Sequence, residues 1–191
     1  MKTSDETKLI NLLLHKKFKR FFWAVLVIVA VALIQNYWTG TTTNSAQIEA
    51  NLVTAGYFPV ERVVDGDTFV YIENGTSKTV RLLGVDTPET KDPRKPVQCF
   101  GKEASDETTS LIAGKTVRLE SDPKAQNLDK YQRELRYVYL PDGRMLNRIL
   151  VAEGYAHATP EYPFSLSAEF VNLEKEATIA GKGLWNTSVC N

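Results

Sequence analysis

The sequence predicts an α+β chain: a small closed barrel of five strands with about three helices, preceded by one transmembrane helix. Three observations predict it. Short β-branched runs are separated by Gly, Asn, Asp and Pro turn signals. Amphipathic stretches end in glycine, the residue that closes helices. A basic N-terminus runs straight into "FFWAVLVIVAVALI", Phe21 to Ile34, which is apolar throughout.

That run falls short of the roughly 20 residues a bilayer requires. Continuing through Gln35 and Asn36 to Tyr37 and Trp38 supplies the length and an aromatic interfacial end, with Trp23 for the other interface. Lys16, Lys17, Lys19 and Arg20 stay on the cytoplasmic side by the positive-inside rule, which sends everything after Trp38 outside. The alternative is a cleaved signal peptide, in which case the domain is secreted; no small-x-small cleavage site follows the run, and "NSA" at Asn44 to Ala46 has a poor first residue. A buried helix of the globular domain is excluded because no face of the segment is polar. The expected organisation is a basic cytoplasmic tail over 1–20, a signal-anchor over 21–38, a small and polar linker over 39–58, and one domain over 59–191.

Within that domain, Val60 to Val64 reads as a strand that "DGD" turns. Thr68 to Ile72 is a second strand, and "ENGTS" is a hairpin signal centred on Asn74-Gly75. Thr79 to Val85 is the third, stopped by Pro88. "CFGKEASDETTSLIAG" is a helix closed by Gly114. "KTVRLES" and "ELRYVYLPDGR" are strands, the latter ending in a Pro-Asp-Gly turn. "MLNRILVAEG" carries Leu146, Ile149 and Leu150 on one helical face and stops at Gly154. "SAEFVNLEKEATIAGKG" is a final amphipathic helix with Phe170, Leu173 and Ala177 and a cap at Gly181. Five antiparallel strands with short helices make a barrel of OB type.

The formal net charge of zero hides an asymmetry. Residues 1–20 hold six Lys/Arg against two acids, whereas residues 60–191 hold 17 Lys/Arg against 20 Asp/Glu. A mildly acidic domain is not built to hold nucleic acid by bulk charge. The two cysteines, Cys99 and Cys190, form no C-x-x-C, which argues against zinc. Outside the cytoplasm they would form a disulfide closing a loop of some 90 residues, for about 4 kcal/mol by loop entropy; the alternative is two unpaired thiols.

Folding the second hairpin about its Asn-Gly brings Asp67 and Asp86 to the same end. Arg81 shares a face with Leu83 and Val85 by alternation, so strand twist decides whether it reaches the acids. Two converging aspartates suit a hard cation such as Ca²⁺ or Mg²⁺, and Thr87 adds a backbone carbonyl. A cation beside an arginine fork would clamp a phosphodiester, and Glu89 would take a proton from an oriented water. The plainer reading is turn and N-cap chemistry, with Arg81 paired to one of the acids.

The motifs weigh in at this point. "VVDGDTFVYIENGTSKTVRLLGVDTPET", then "FGKEAS", then "DKYQRELRYVY" resemble, in order and spacing, the staphylococcal (micrococcal) nuclease family, or thermonucleases, over Pro59 to Trp185. The resemblance implies a Ca²⁺-dependent phosphodiesterase that cuts DNA and RNA without sequence preference, favours single strands and leaves 3′-phosphates. It implies no obligate protein partner. Asp67 and Asp86 match the family's calcium-binding aspartates, and Thr87 its carbonyl ligand. Glu89 matches the general base. Arg81 and Arg133 match the arginines that grip the scissile phosphate, Tyr131 a tyrosine near the terminal phosphate, and Lys95 a lysine beside the nucleotide. Asp65 matches a position beside the metal, as a neighbouring acid or a turn former. Two departures stand out. Pro160 occupies the place of a second stacking tyrosine, leaving Tyr162 to stack on a base or to pack in its loop, and the acidic balance implies weak, salt-sensitive binding. His15 and His157 have no catalytic partner pattern. A noncatalytic binding module tethered to the membrane is the competing class, although Asp67, Arg81, Asp86, Glu89 and Arg133 are all present.

Overall fold

The structure is a computed structural model that describes Trp23 and residues 26–35, 56–90 and 96–190. The chain divides into two compact units, Met1–Asn51 and Leu52–Asn191. In the first, Trp23 and residues 26–35 are helical and exposed. The remainder of the expected 21–38 span lies outside the described residues. Among the described residues no helix is long and apolar enough to cross a membrane.

In the second unit, five strands close a barrel in the order β1-β2-β3-β6-β5. These are β1 (Tyr57–Asp65), β2 (Thr68–Glu73), β3 (Thr76–Leu82), β5 (Thr116–Glu120) and β6 (Glu134–Tyr139). A separate two-stranded ladder pairs β4 (Val85–Asp86) with β7 (His157–Ala158). Three helices pack outside, α1 (Gly101–Ile112), α2 (Leu146–Ala152) and α3 (Ser167–Ile179), followed by a 3₁₀ turn at Gly183–Trp185. Closure leaves no unpaired strand edge in the barrel. Alternation turns Phe69, Tyr71, Val80, Leu82, Val117 and Val138 into the core, where Leu146, Leu150 and Phe170 join them from the helices. Each fully buried Leu or Phe contributes about 1.5–3 kcal/mol; a Leu82→Ala truncation would cost about 2–5.

The Asn74-Gly75 hairpin forms as expected. Both residues have positive φ, 51° and 75°, which is the primed turn that matches strand twist. Three expectations are corrected. The barrel is not wholly antiparallel: β3 and β6 run parallel, with Arg81 opposite Leu135. The linker does not extend to residue 58, because Tyr57 and Phe58 already pair with Arg118 and Val117.

The third correction matters most. The strand expected over Thr79 to Val85 breaks after Leu82. Gly84 turns there with φ 75°, and a side chain on it would strike the Phe164 ring at 2.6 Å. The amide of Leu83 donates to the Arg136 carbonyl at 2.9 Å, and its carbonyl accepts from the Asn147 side chain at 2.9 Å. Asn147 is fully buried, and its Oδ1 also accepts the Val138 amide at 2.9 Å. One buried amide on α2 therefore holds the turn to the barrel, which fully satisfied buried polar groups do well.

Asp122 performs the same task for the segment before α3. It is buried and accepts the Tyr137 hydroxyl at 2.6 Å, the Ser165 amide at 2.7 Å and the Lys124 amide at 2.7 Å. Burial alone would raise its carboxyl, but these donors outweigh it and hold the group down to about 2. The folded value lies below the unfolded one of roughly 3.9, so the stabilisation is present above about pH 4 and is lost as pH falls toward 2. Asp122→Asn should cost about 1–3 kcal/mol at neutral pH. Urea midpoints measured from pH 7 to pH 2.5 should then fall less steeply for the variant than for the wild type.

Candidate active site

The acids lie on two loops that the barrel brings together. The first is the Asp65-Gly66-Asp67 turn between β1 and β2. Asp65 Oδ1 accepts the Gly66 amide at 2.9 Å and the Thr90 hydroxyl at 2.8 Å. It is thus a turn former that also fastens the residue after Glu89. Burial raises its carboxyl; the hydrogen bonds from Thr90 and Gly66 oppose this, and the charges of Asp67 and Glu89 add to it. Gly66 is a contact point rather than a hinge. A Cβ there would lie 2.8 Å from the Thr87 side chain, so only glycine lets the second loop approach. The Gly66 carbonyl accepts the buried Thr108 hydroxyl at 2.6 Å, tying the turn to α1.

Asp67 is the centre of the arrangement. It is buried. One oxygen accepts the Thr68 hydroxyl at 2.9 Å. The other accepts both the Thr87 amide and the Thr87 hydroxyl at 2.9 Å. Arg81 completes the set, with one terminal nitrogen 3.2 Å from Asp67 and 2.6 Å from Asp86. Its other terminal nitrogen donates to the Val85 carbonyl and, at 3.2 Å, to the Leu82 carbonyl. The turn at Gly84, rather than strand twist, is what lets Arg81 meet Asp86. Asp86 keeps an exposed face, yet desolvation by its neighbours holds its carboxyl above the ordinary range; Arg81 counters this and Asp67 reinforces it.

Arg133 approaches from the loop before β6. Asp129 Oδ1 accepts the amides of Tyr131 at 2.8 Å and Arg133 at 2.9 Å, and Oδ2 accepts Arg133 Nε at 2.7 Å. Burial would raise the Asp129 carboxyl, but the Arg133 and Tyr131 donors carry it below its usual value. Arg133 then extends a terminal nitrogen to within 3.4 Å of the Thr68 hydroxyl, which itself donates to Asp67. The two guanidinium groups thus reach Asp67 by different routes, Arg81 directly and Arg133 through one hydroxyl. Tyr131 is exposed, with its ring centre 5.3 Å from the Arg133 guanidinium and 4.9 Å from Lys130 Nζ.

Glu89 is half-buried, and its charge acts on Asp65. Its backbone is held by Gln98: the Glu89 amide donates to the Gln98 side chain at 2.7 Å, and the Gln98 amide donates to the Glu89 carbonyl at 2.9 Å. Thr87 meets Asp67 through its amide and hydroxyl, so it shapes the acid pair whatever its carbonyl does. Tyr162 is exposed on the segment after β7. Lys95 and His15 lie outside the described residues. Cys99 and Cys190 are bonded to each other, with Cα atoms 5.7 Å apart. His157 pairs across the ladder with Asp86, contacts Glu174 at 3.2 Å and meets the Trp185 ring edge-on at 4.9 Å.

Asp129, Asn147 and Gln98 were not singled out by sequence reasoning. Asp129 alone left a signal, since an aspartate two and four residues ahead of bonded amides is Asx-turn chemistry. Carboxylate and carbonyl oxygens are the donors a hard divalent cation takes, although among the described residues no three His, Cys, Asp or Glu side chains are grouped as metal ligands. Among the described residues, Arg81 pairs with Asp67 and Asp86, and the charges of Asp67 and Glu89 act on Asp65, so carboxylates gather about this guanidinium. Carboxylates so placed repel a phosphodiester, and a bound cation offsets that repulsion.

Comparison with known proteins bears on this geometry directly. The family model described as "Staphylococcal nuclease homologue" matches residues 79–187. The chain is 42% identical over 164 residues to the Thermonuclease of Staphylococcus intermedius, covering 84% of this chain and 94% of that one. It is 38% identical over 166 residues to the Thermonuclease of Staphylococcus hyicus, covering 84% and 95%. It is 38% identical over 133 residues to Endonuclease YncB of Bacillus subtilis, covering 68% and 61%. The chain belongs to the staphylococcal nuclease family and is a nuclease hydrolase.

Proposed function

We propose that this chain is a calcium-dependent phosphodiesterase that cleaves DNA and RNA without sequence preference, tethered outside the membrane by its N-terminal segment. One observation carries the chemistry: a single Arg81 nitrogen lies between Asp67 and Asp86, while Arg133 reaches the same centre through Thr68.

Asp67 and Asp86 would hold the Ca²⁺, with carbonyl and water oxygens making up its six to eight ligands; when bound, the ion supplies positive charge at the phosphate and orients a water. Glu89 would accept the proton of the attacking water as its oxygen bonds to phosphorus. The bond from phosphorus to the 5′ oxygen breaks, leaving a 3′-phosphate, and the 5′ oxygen takes a proton from solvent and departs as a hydroxyl. Arg81 and Arg133 donate to the non-bridging oxygens, whose charge grows in the transition state. Asp129 keeps Arg133 aimed by consuming its Nε and amide and leaving its terminal nitrogens forward. Tyr131 presents an exposed ring for a base or sugar, the sequence-tolerant way to hold a single strand. Lys95 is assigned to the same strand by the family pattern; Tyr162, exposed two residues after the Pro160 that replaces a family tyrosine, offers a ring for stacking in its place.

The tether reading is supported by Lys16, Lys17, Lys19 and Arg20 ahead of the apolar run and by the bonded cysteines, which suit an oxidising compartment.

The full chain should cut heat-denatured DNA in millimolar calcium and stop when a chelator is added. Arg133→Ala and Glu89→Gln should each lower kcat roughly 10²-fold or more, because charge stabilisation and proton transfer are worth that much. Activity undiminished by chelator would contradict the metal reading. Protease applied to intact cells should remove the nuclease domain; a protected domain would reverse the topology.

A further inference from the structure

Three consecutive residues at the start of α1 are each fastened to a different part of the fold. Gln98 holds the Glu89 backbone through two hydrogen bonds, 2.7 Å to its side chain and 2.9 Å from its amide. Cys99 is bonded to Cys190, 91 positions away in the sequence. Phe100 stacks on Tyr155 with ring centres 5.5 Å apart. Phe100 also has φ 66°, a left-handed conformation that costs a non-glycine residue about 1–2 kcal/mol. It starts the helix without any side-chain cap. Strain of this kind persists only where the surroundings impose it, and here the neighbouring anchors impose it. Gly101 adds a fourth constraint. A Cβ there would lie 2.9 Å from the Pro88 carbonyl, 2.7 Å from the Thr90 side chain and 3.3 Å from the Glu89 carbonyl, so the helix start is pressed onto Pro88, Glu89 and Thr90. On the other side, Thr90 is fastened to Asp65. Glu89 therefore sits in a backbone socket, held by Gln98 on one side and pressed by the helix start on the other.

We propose that Gln98 is a positioning residue for Glu89, braced through the Cys99–Cys190 bridge so that the base is held ready before substrate arrives. This inference rests on the nuclease reading with Glu89 as the proton acceptor. A base fixed in advance lowers the cost of reaching the productive geometry, and a displacement of about 1 Å can cost up to about 10²-fold in rate. Among the described residues Gln98 has no hydrogen bond to Arg81, Arg133, Asp67 or Asp86, so its loss should appear in kcat and leave KM unchanged.

The test measures kcat, KM and melting temperature on the full chain with single-stranded DNA in calcium. Gln98→Met keeps the length and loses the acceptor, and it should lower kcat about tenfold with KM within about twofold. Gln98→Glu restores an oxygen for the Glu89 amide and should recover most of the rate. Gly101→Ala should give the same split by pushing on the Pro88 carbonyl. The Cys99→Ser, Cys190→Ser pair should do so well below its own melting temperature. Wild-type kcat in Gln98→Met, no recovery in Gln98→Glu, or losses that simply track the unfolded fraction would each overturn the positioning role. An active wild type whose Glu89→Gln variant retains full kcat would remove Glu89 as the base, and this proposal with it. A wild type that cuts nothing would instead remove the nuclease reading itself.

Discussion

The architecture depends on one buried negative charge. Taking the Asp67 carboxylate out of water costs several kcal/mol, and only a full set of donors returns that cost. The donors come from three places: the Thr68 hydroxyl on β2, the amide and hydroxyl of Thr87 beyond β4, and Arg81 on β3. Satisfying Asp67 therefore requires the first acidic turn, the third strand and the second acidic loop to meet at one point. The same convergence brings Asp86 beside Asp67 and Thr68 within reach of Arg133. Folding and the assembly of the site are one event, and removing the acid would orphan several buried donors at once.

Close approach completes what the hydrogen bonds begin. Gly66 admits Thr87, Gly84 turns beneath Phe164, and Gly101 admits the Pro88–Thr90 backbone; at each position an added Cβ would meet an atom at 2.9 Å or less. Of the three, only Gly84 has a positive φ. The other two are glycines because two segments must touch, a requirement that local sequence does not announce.

Much of this was legible beforehand. The Asn74-Gly75 turn carries its own signal, and the register it sets pairs Thr68 with Arg81, which brings Arg81 to the Asp67 end of the hairpin. The closed barrel followed from short strands at regular intervals. The break at Leu83-Gly84 was not legible, because "LLGV" is a short apolar run that reads as a continuing strand. It breaks because the buried Asn147 side chain, 64 positions later, takes the Leu83 carbonyl. Gln98 was hidden for the same reason: its importance lies in a partner, Glu89, rather than in any pattern around it. The parallel pairing of β3 with β6 arises from a connection through β4, α1 and β5, and periodicity carries no information about such direction. Charge was legible only as a total. The acidic balance of the domain says little about a site in which, among the described residues, Asp67 and Asp86 share Arg81, and where a cation would reverse the local field.

That reversal is the central claim, and calcium binding tests it most directly. Calcium titrated into the full chain and followed by calorimetry should report one site per chain. Asp86→Ala, at an exposed carboxylate, should weaken that site roughly tenfold or more with the melting temperature held. A wild type that takes up no calcium at millimolar concentration, or a variant that binds it as tightly as the wild type, would contradict the account.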